Sequence, residues 1–192
     1  MNEQEHILII GAGLCGSLLA LRMAQRGYKV TLIEKRPDMR HAEIEAGRSI
    51  NLAFSDRGMK GIRLVGLEKE VAPLCIPMNG RMIHEESGEN FMSPYSGRDY
   101  EFINSISRAD LNIMLLNECD KMESITMLFN RKCTQVKLEK AEATFEDYNT
   151  KENRVIKADV VMGADGVGSA LRQSMFQHRK FLFSYAQDYL TH

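Results

Sequence analysis

The sequence lacks several features that would assign it to a membrane, secreted or nucleic-acid-binding class of protein. Its 192 residues include no tryptophan, and no apolar run approaches the length of a membrane span. The opening residues, MNEQEH, are mostly polar or charged, so we expect no signal peptide. The formal net charge is −1, so we expect neither nucleic acid nor an anionic membrane as the main partner.

Cysteine and histidine are also few, and both are scattered. The four cysteines form no C-x-x-C pair, and the five histidines share no ligand spacing, so no metal site is expected. Reduced thiols in a cytoplasmic protein are the expected state of the cysteines. No Ser-His-Asp or Cys-His pattern indicates a nucleophilic enzyme, so any chemistry has to come from elsewhere.

What is present is a strand–helix–strand unit over residues 6–36, HILIIGAGLCGSLLALRMAQRGYKVTLIEKR. A short β-branched run, residues 7–10, predicts a strand buried on both faces. Leucines at helical spacing then predict a helix that ends at Gly27, and residues 28–34 predict a second strand. This βαβ unit is the feature around which the rest of the chain is expected to fold.

The turn of this unit carries glycines in G-x-G-x-x-G spacing, at Gly11, Gly13 and Gly16. In a dinucleotide site the first glycine allows the tight turn, the second lets the backbone approach a pyrophosphate, and the third brings the helix close to the sheet. Glu34 closes the second strand, where it can accept hydrogen bonds from a ribose. Glycines also serve ordinary turns, but the strand, helix and acid together favour a dinucleotide site over a plain βαβ unit.

The remaining elements predict an α/β fold with two kinds of sheet. Turn residues punctuate residues 76–106, which indicates two or three antiparallel strands inserted into the first domain. A helix is predicted over residues 107–122, with Ser107 and Asp110 in capping spacing. The further predicted elements are a strand at 48–54, helices at 55–66 and 67–72 with the second stopped by Pro73, a strand at 125–129, a polar meander at 132–157, a buried strand at 158–164 and a helix at 170–176.

The buried strand at 158–164 leads into a second motif, D-G-x-x-S-x-x-R, formed by Asp165, Gly166, Ser169 and Arg172. Each residue has an ordinary explanation as a turn, a helix cap or a surface charge. Combined with the first motif, however, it resembles the flavin-dependent aromatic hydroxylases of the p-hydroxybenzoate hydroxylase type. In that family the first motif holds the ADP half of FAD, and the aspartate of the second lies near the pyrophosphate.

Longer blocks are similar, in order and spacing, to the kynurenine 3-monooxygenase family within these hydroxylases. They are GRSINLAFSDRG at 47–58, IPMNGRMIH at 76–84, ISRADLN at 106–112 and FSYAQDYLTH at 183–192. The resemblance implies a Rossmann-like FAD-binding domain, made of a mostly parallel sheet, helices and a β-meander, at residues 1–75 and 107–180. Residues 76–106 and 181–192 would form part of an antiparallel substrate-domain sheet.

Individual roles follow from the resemblance, position by position. Arg81 and Tyr95 match residues that bind the carboxylate of kynurenine, which suits a guanidinium fork and a phenol. Arg108 matches an arginine that contacts FAD, and an anion there would explain a cation at a helix N-terminus. The other implied FAD contacts are Lys35 and Arg36 beside Glu34, the backbone at Cys15, Ala53 and Cys133, and Asp165 with Gly166.

The implied activity is the hydroxylation of L-kynurenine to 3-hydroxykynurenine by FAD, NAD(P)H and O2, a step of tryptophan degradation and pyridine nucleotide biosynthesis. Because the sequence contains no second nucleotide-binding fingerprint, NAD(P)H is expected to bind transiently, and NADH and NADPH stay open alternatives. The oligomeric state also stays open.

Two other functions remain open, a related flavin hydroxylase of another carboxylated aromatic substrate and a non-catalytic nucleotide-binding module. The family's downstream flavin motif, G-D-A-A-H, does not occur in the sequence. The chain therefore resembles the N-terminal part of the enzyme, and we expect it to bind FAD weakly and not to hydroxylate alone.

Overall fold

The computed structural model describes residues 4–41, 50–98 and 100–178 of the chain. The strands in these residues are β1 (His6–Ile10), β2 (Lys29–Ile33), β3 (Asn51–Phe54), β4 (Cys75–Met78), β5 (Gly80–His84), β6 (Asn90–Pro94), β7 (Ile103–Ser107), β8 (Ile125–Leu128), β9 (Arg131–Lys137), β10 (Glu142–Asp147), β11 (Asn153–Lys157) and β12 (Val160–Gly163). The helices are α1 (Leu14–Gln25), α2 (Asp56–Leu64), α3 (Glu68–Val71), α4 (Arg108–Asp120) and α5 (Ala170–Phe176).

A parallel sheet in the order β12-β1-β2-β8 forms the centre of the fold. Strand β1 is an inner strand, since Ile7 is paired with Val160 on one side and with Val30 on the other. All four residues from Ile7 to Ile10 are at most 3% exposed. The predicted strand buried on both faces is therefore confirmed.

Helices α1 and α4 cover one face of this sheet. Ile7 and Ile9 of β1 pack there with Leu21 of α1 and with Leu111 and Leu115 of α4 in one apolar cluster. Burying a side chain of this size contributes roughly 1.5–3 kcal/mol. The leucines at helical spacing in the sequence thus mark the contact between the helical layer and the sheet.

The antiparallel meander β11-β10-β9 covers the opposite face. Because successive side chains of a strand point to opposite faces, Leu8 and Ile10 meet the meander, where they pack with Val136, Ala143 and Phe145. The fold is thus a layer of helices, a parallel sheet and a meander. This is the predicted α/β architecture of a Rossmann-like FAD-binding domain.

Two further antiparallel sheets come from the middle of the chain. Strand β7 pairs with β3 and β4, and β5 pairs with β6 as a hairpin. The antiparallel strands predicted within residues 76–106 are therefore present. Domain boundaries at 75, 106 and 180 stay a prediction, and residues 181–192 lie outside the described residues.

Two predicted details differ from the structure. The strand predicted to be buried at 158–164 is β12, which lies at the edge of the parallel sheet and leaves Val160 44% exposed. Pro73 was expected to stop a helix at Ala72, but it lies inside a 3₁₀ turn, Ala72–Leu74, that continues α3. Proline tolerates the first positions of a helical turn because its missing N–H has no partner to lose there. Within the ranges described above, no helix has the length and apolarity needed to cross a membrane.

Candidate dinucleotide site

The glycine turn joins β1 to α1, and its three glycines meet different surroundings. Gly11 has φ +101°, and a Cβ there would lie 2.5 Å from the carbonyl oxygen of Ala164. A Cβ on Gly16 would lie 1.8 Å from the carbonyl oxygen of Gly11. Gly13, by contrast, has no atom within 4 Å of its ideal Cβ position. The turn is therefore tight at Gly11 and Gly16 and open at Gly13.

Helix α1 begins at this open side of the turn. Gly13 is the N-cap residue, no side chain caps the helix, and its first turn carries no acidic residue. The first N–H groups of a helix have no partner within the helix, and the helix dipole places a partial positive charge there. Such an end binds anions such as phosphate.

Glu34 lies beside the turn, one residue beyond the end of β2. Its Oε2 accepts a hydrogen bond from the Ala12 N–H at 2.9 Å, and its Oε1 accepts from Arg36 Nε at 2.9 Å and Arg36 N at 3.1 Å. Burial raises the pKa of Glu34, but the hydrogen bonds from Arg36 and Ala12 outweigh burial and hold the pKa below its ordinary value. The carboxylate is thus ionised, and it keeps acceptor capacity for a ribose hydroxyl.

Two buried side chains hold the same turn by donating hydrogen bonds to a backbone carbonyl oxygen. The carbonyl oxygen of Ala12 accepts hydrogen bonds from Ser17 Oγ at 3.2 Å and from Asn112 Nδ2 at 3.1 Å. Because Glu34 also accepts a hydrogen bond from the Ala12 N–H, both the N–H and the carbonyl group of Ala12 are hydrogen-bonded. Protein groups therefore hold the backbone of the turn at Ala12.

The second motif forms a loop between β12 and α5. Asp165 Oδ2 accepts a hydrogen bond from the Ala170 N–H at 2.8 Å, whereas its buried Oδ1 has no partner among the described residues. Ser169 caps α5 by accepting from the Arg172 N–H at 3.0 Å. The Arg172 guanidinium donates to the carbonyl oxygens of Gly166 and Val167, so it braces the loop.

These parts enclose a cavity of about 410 Å³ at the carboxyl edge of the parallel sheet. Its lining comes from the two loops, the end of β2, the start of α4 and the start of β9. The lining residues are Ile10, Gly11, Gly13, Ile33, Glu34, Lys35, Arg36, Arg108, Arg131, Lys132, Cys133, Ala164, Asp165, Gly166, Gly168 and Ala170. The predicted cofactor residues are thus brought together except for Cys15, Gly16 and Ala53.

Those three residues do not line the cavity. Cys15 is exposed in the first turn of α1, and Gly16 is buried behind the turn. Ala53 is exposed on β3, opposite Ser105 of β7. Their roles toward a cofactor stay a prediction.

The predicted substrate residues lie on the β5–β6 hairpin, away from the residues that line this cavity. Arg81 is exposed and is paired with Ser93, while the Tyr95 N–H donates to the Asn79 carbonyl oxygen at 2.9 Å. Because side chains alternate along a strand, this register puts Arg81 and Tyr95 on the same face of the hairpin as diagonal neighbours. They can therefore contact one small ligand.

The charge of the cavity fits a diphosphate. Five cations line it, and they are opposed by Glu34 and Asp165; the cations are Lys35, Arg36, Arg108, Arg131 and Lys132. Together with the helix N-terminus, the open side of Gly13 and the unpartnered Oδ1 of Asp165, these residues fit the ADP half of FAD.

Sequence reasoning missed Arg131 and Lys132, which precede the predicted Cys133. Both are cations on a meander that carries many other charges, so no local pattern distinguishes them. Asn112 was missed for a similar reason, since its hydrogen bond to Ala12 joins residues 100 positions apart.

The fold and this cavity define an FAD-binding domain of the Rossmann-like type. The model of the FAD binding domain family matches residues 4–181, and the chain belongs to that family. Along nearly its whole length the chain is also similar to kynurenine 3-monooxygenases. It is 41% identical to that of Myxococcus xanthus (strain DK1622) over 179 residues, which is 93% of this chain and 39% of the relative.

Other kynurenine 3-monooxygenases are equally similar. The protein of Drosophila melanogaster is 41% identical over 98% of this chain and 40% of its own length. That of Stenotrophomonas maltophilia (strain K279a) is 44% identical over 91% of this chain and 38% of its own length. The chain thus spans about two fifths of these relatives, and the predicted family resemblance is confirmed.

Solved structures support the fold. The flavin-dependent monooxygenase PieE in complex with FAD and substrate has a TM-score of 0.74 at 16% identity, covering 91% of this chain and 32% of its own. The p-nitrophenol 4-monooxygenase PnpA of Pseudomonas putida DLL-E4 has a TM-score of 0.73 at 15% identity, covering 91% of this chain and 44% of its own.

Proposed function

We propose that this chain forms the FAD-binding part of a kynurenine 3-monooxygenase, which hydroxylates L-kynurenine with NAD(P)H and O2. The observation that carries the proposal is the cavity in which the glycine turn, the helix N-terminus, Glu34 and Asp165 converge. The similarity to kynurenine 3-monooxygenases across almost the whole chain supports the choice of substrate.

The proposed cofactor residues contact different parts of the ADP half of FAD. The backbone at Gly11, Gly13 and the first turn of α1 binds the diphosphate, with Arg108 as a counter-charge. Glu34 binds the adenosine ribose beside Lys35 and Arg36. The remaining proposed contacts are Cys15, Gly16, Ala53, Cys133, Asp165 and Gly166.

FAD supplies the redox chemistry that joins NAD(P)H oxidation to oxygen transfer. What the chain contributes is binding and orientation. Arg81 and Tyr95 are proposed to hold the carboxylate of kynurenine through a guanidinium fork and a phenol. Their position on one face of the hairpin supports this.

The substrate residues belong to the proposed substrate-domain part of the chain, residues 76–106 and 181–192. Residues 1–75 and 107–180 would form the FAD-binding domain. A cytoplasmic location is proposed as well, supported by four cysteines that are all free.

Titration of the purified chain with FAD, followed by flavin fluorescence, tests the cofactor half of the proposal. We expect saturable binding, and weaker binding of FMN because FMN lacks the ADP half. Absence of saturable FAD binding would contradict the proposal and favour a non-catalytic nucleotide-binding module.

The substrate half is tested by the change that an aromatic ligand makes in the absorption spectrum of the FAD-loaded chain. Kynurenine is expected to change the spectrum, and Arg81→Ala to abolish the change, whereas Arg98→Ala on the exposed loop after β6 should not. A response to p-hydroxybenzoate or salicylate instead would favour a related hydroxylase. Steady formation of 3-hydroxykynurenine by this chain would contradict our expectation that it is inactive alone.

A further inference from the structure

Asn112 lies in the second turn of α4, and its side chain is buried against the glycine turn. The residue is 5% exposed, and burying an amide costs free energy unless its polar atoms are hydrogen-bonded. Its Nδ2 donates to the Ala12 carbonyl oxygen at 3.1 Å and lies 2.9 Å from the Met39 Sδ. The amide therefore joins α4 to the turn before α1 and to the segment after β2.

The two neighbours of Nδ2 determine which way the amide faces. A carbonyl oxygen and a thioether sulfur can only accept hydrogen bonds, so the amide nitrogen has to face them. This orientation leaves Asn112 Oδ1 buried, with no partner among residues 4–41, 50–98 and 100–178. A buried acceptor without a partner costs stability. Leucine branches at the same carbon and would avoid that cost, so packing alone does not explain an amide at this position.

The carbonyl oxygen that accepts from Asn112 belongs to the same peptide group as the Gly13 N–H. This oxygen also accepts from Ser17 Oγ at 3.2 Å, so both donors act on one side of the peptide group. Because the peptide bond is planar and trans, its N–H points away from its carbonyl oxygen and hence from both donors. The Gly13 N–H has no acceptor in the part of the chain that the structure describes, and Gly13 lines the cavity.

Hydrogen bonds to a carbonyl oxygen also strengthen the N–H of the same peptide group as a donor. They draw electron density toward the oxygen, and the effect is about 10–30% for each bond. Asn112 and Ser17 are both buried, and the low dielectric constant of such surroundings makes hydrogen bonds electrostatically stronger. The Gly13 N–H is thus oriented and polarised as a donor at the turn where the diphosphate of FAD is proposed to bind.

We propose that Asn112 is a positioning residue for the FAD diphosphate, because its hydrogen bond to the Ala12 carbonyl oxygen directs the Gly13 N–H toward a phosphate oxygen. This inference rests on the proposed function, since it assumes that FAD occupies the cavity. Asn112 does not line the cavity, so it acts through the backbone of the turn and not by touching the cofactor.

Asn112→Leu separates this role from packing. The change removes both donors together with the unpartnered Oδ1, while Ser17 still donates to Ala12. We therefore expect the Tm to stay within about 3 °C of that of the unmodified chain, but the FAD affinity to fall about fivefold. Flavin fluorescence measures FAD binding, and competition against FAD measures the binding of adenosine. Adenosine lacks phosphate, so its affinity should be unchanged.

Asn112→Asp tests whether a restored donor rescues binding. At about pH 5.5 a buried, neutral aspartic acid can donate to the Ala12 carbonyl oxygen, whereas the carboxylate present at about pH 8 cannot. Relative to the unmodified chain at the same pH, FAD affinity should be similar at the lower pH and about fivefold weaker at the higher pH. Glu34, which accepts from the Ala12 N–H, has a lowered pKa and stays ionised over this range. The matched control is Asn117→Asp, the same change at an exposed position of α4, which should follow the unmodified chain.

Three outcomes would overturn the inference while leaving the proposed function intact. The first is an Asn112→Leu variant that binds FAD as tightly as the unmodified chain, whether or not its Tm falls. The second is an equal loss of affinity for FAD and adenosine, which would make Asn112 a general support of the cavity. The third is an Asn112→Asp variant whose relative FAD affinity does not change with pH. If the unmodified chain bound no FAD, the proposed function and this inference would both be wrong.

Discussion

At the residue scale, Gly13 and Gly16 are three positions apart in one motif, yet they have different roles. Gly16→Ala places a methyl group 1.8 Å from the Gly11 carbonyl oxygen, whereas Gly13→Ala meets no atom within 4 Å and starts from φ −73°. We expect Gly16→Ala to destabilise the fold by about 2 kcal/mol or more. Gly13→Ala should leave stability nearly unchanged but weaken FAD binding at least tenfold, since its methyl group enters the diphosphate space.

Thermal denaturation and FAD titration of the two variants measure this difference. Equal losses of stability in both would contradict the account of Gly13. Full FAD affinity in a stable Gly13→Ala variant would remove the diphosphate from this side of the turn.

The Glu34 carboxylate makes the free energy of unfolding depend on pH. Its pKa is lowered in the folded chain, so its ionised form stabilises the fold above the unfolded-state pKa of about 4.3. That contribution is lost as the pH falls through the lower, folded-state pKa. Glu34→Gln is expected to cost about 1–2 kcal/mol at neutral pH and to make the loss of stability in acid shallower. Urea denaturation between about pH 7 and pH 3 checks this.

Glu70→Gln on the exposed side of α3 is the control for Glu34, and it should follow the unmodified chain at every pH. A Glu34→Gln variant whose stability falls in acid as steeply as that of the unmodified chain would show that this carboxylate contributes nothing to the acid dependence.

At the scale of elements, two serines show which caps the structure uses. Both Ser55 and Ser107 are N-cap residues, of α2 and α4, but only the Ser107 hydroxyl accepts a hydrogen bond, from the Asp110 N–H at 3.3 Å. Ser107→Ala should therefore cost about 1 kcal/mol, and Ser55→Ala should cost much less. Chemical denaturation of both variants measures the difference, and equal costs would contradict the assigned cap.

The elements that the sequence predicted well are those whose signal is local. The buried run of β1, the helical spacing of α1, the S-x-x-D cap of α4 and the helix at 170–176 each lie within a single stretch of chain. The pairing of β3 with β7 was not predictable, because it joins Asn51 to Ser107 across several intervening elements.

The residues of the site likewise fall into those that a local sequence pattern predicts and those that it does not. The two motifs identify the loops that form most of the cavity, because glycine spacing and a strand-terminal acid are local patterns. The glycine turn is supported by a residue distant in sequence, because Asn112 of α4 donates to the Ala12 carbonyl oxygen. Packing of α4 against the sheet brings these two residues together, so no short stretch of sequence contains both.

At the scale of the whole molecule, the cavity joins segments from both ends of the chain. Its lining runs from Ile10 to Ala170, and it lies where the parallel sheet meets the first residues of β9. A ligand that binds there therefore contacts the βαβ unit, the start of α4, the meander and the loop after β12 at once. Binding to the folded state alone stabilises it by about 2.7 kcal/mol when FAD is 100-fold above its Kd.

FAD at that concentration is expected to raise the Tm by about 5–10 °C and to slow hydrogen exchange in all of these segments together. The β5–β6 hairpin is the internal reference, because neither of its strands lines the cavity, so its exchange should change little on adding FAD and should respond to kynurenine instead. Hydrogen-exchange mass spectrometry resolves the two responses. Protection by FAD that is confined to the hairpin would contradict the site, because a ligand held there leaves the glycine turn and the start of β9 as exposed as before.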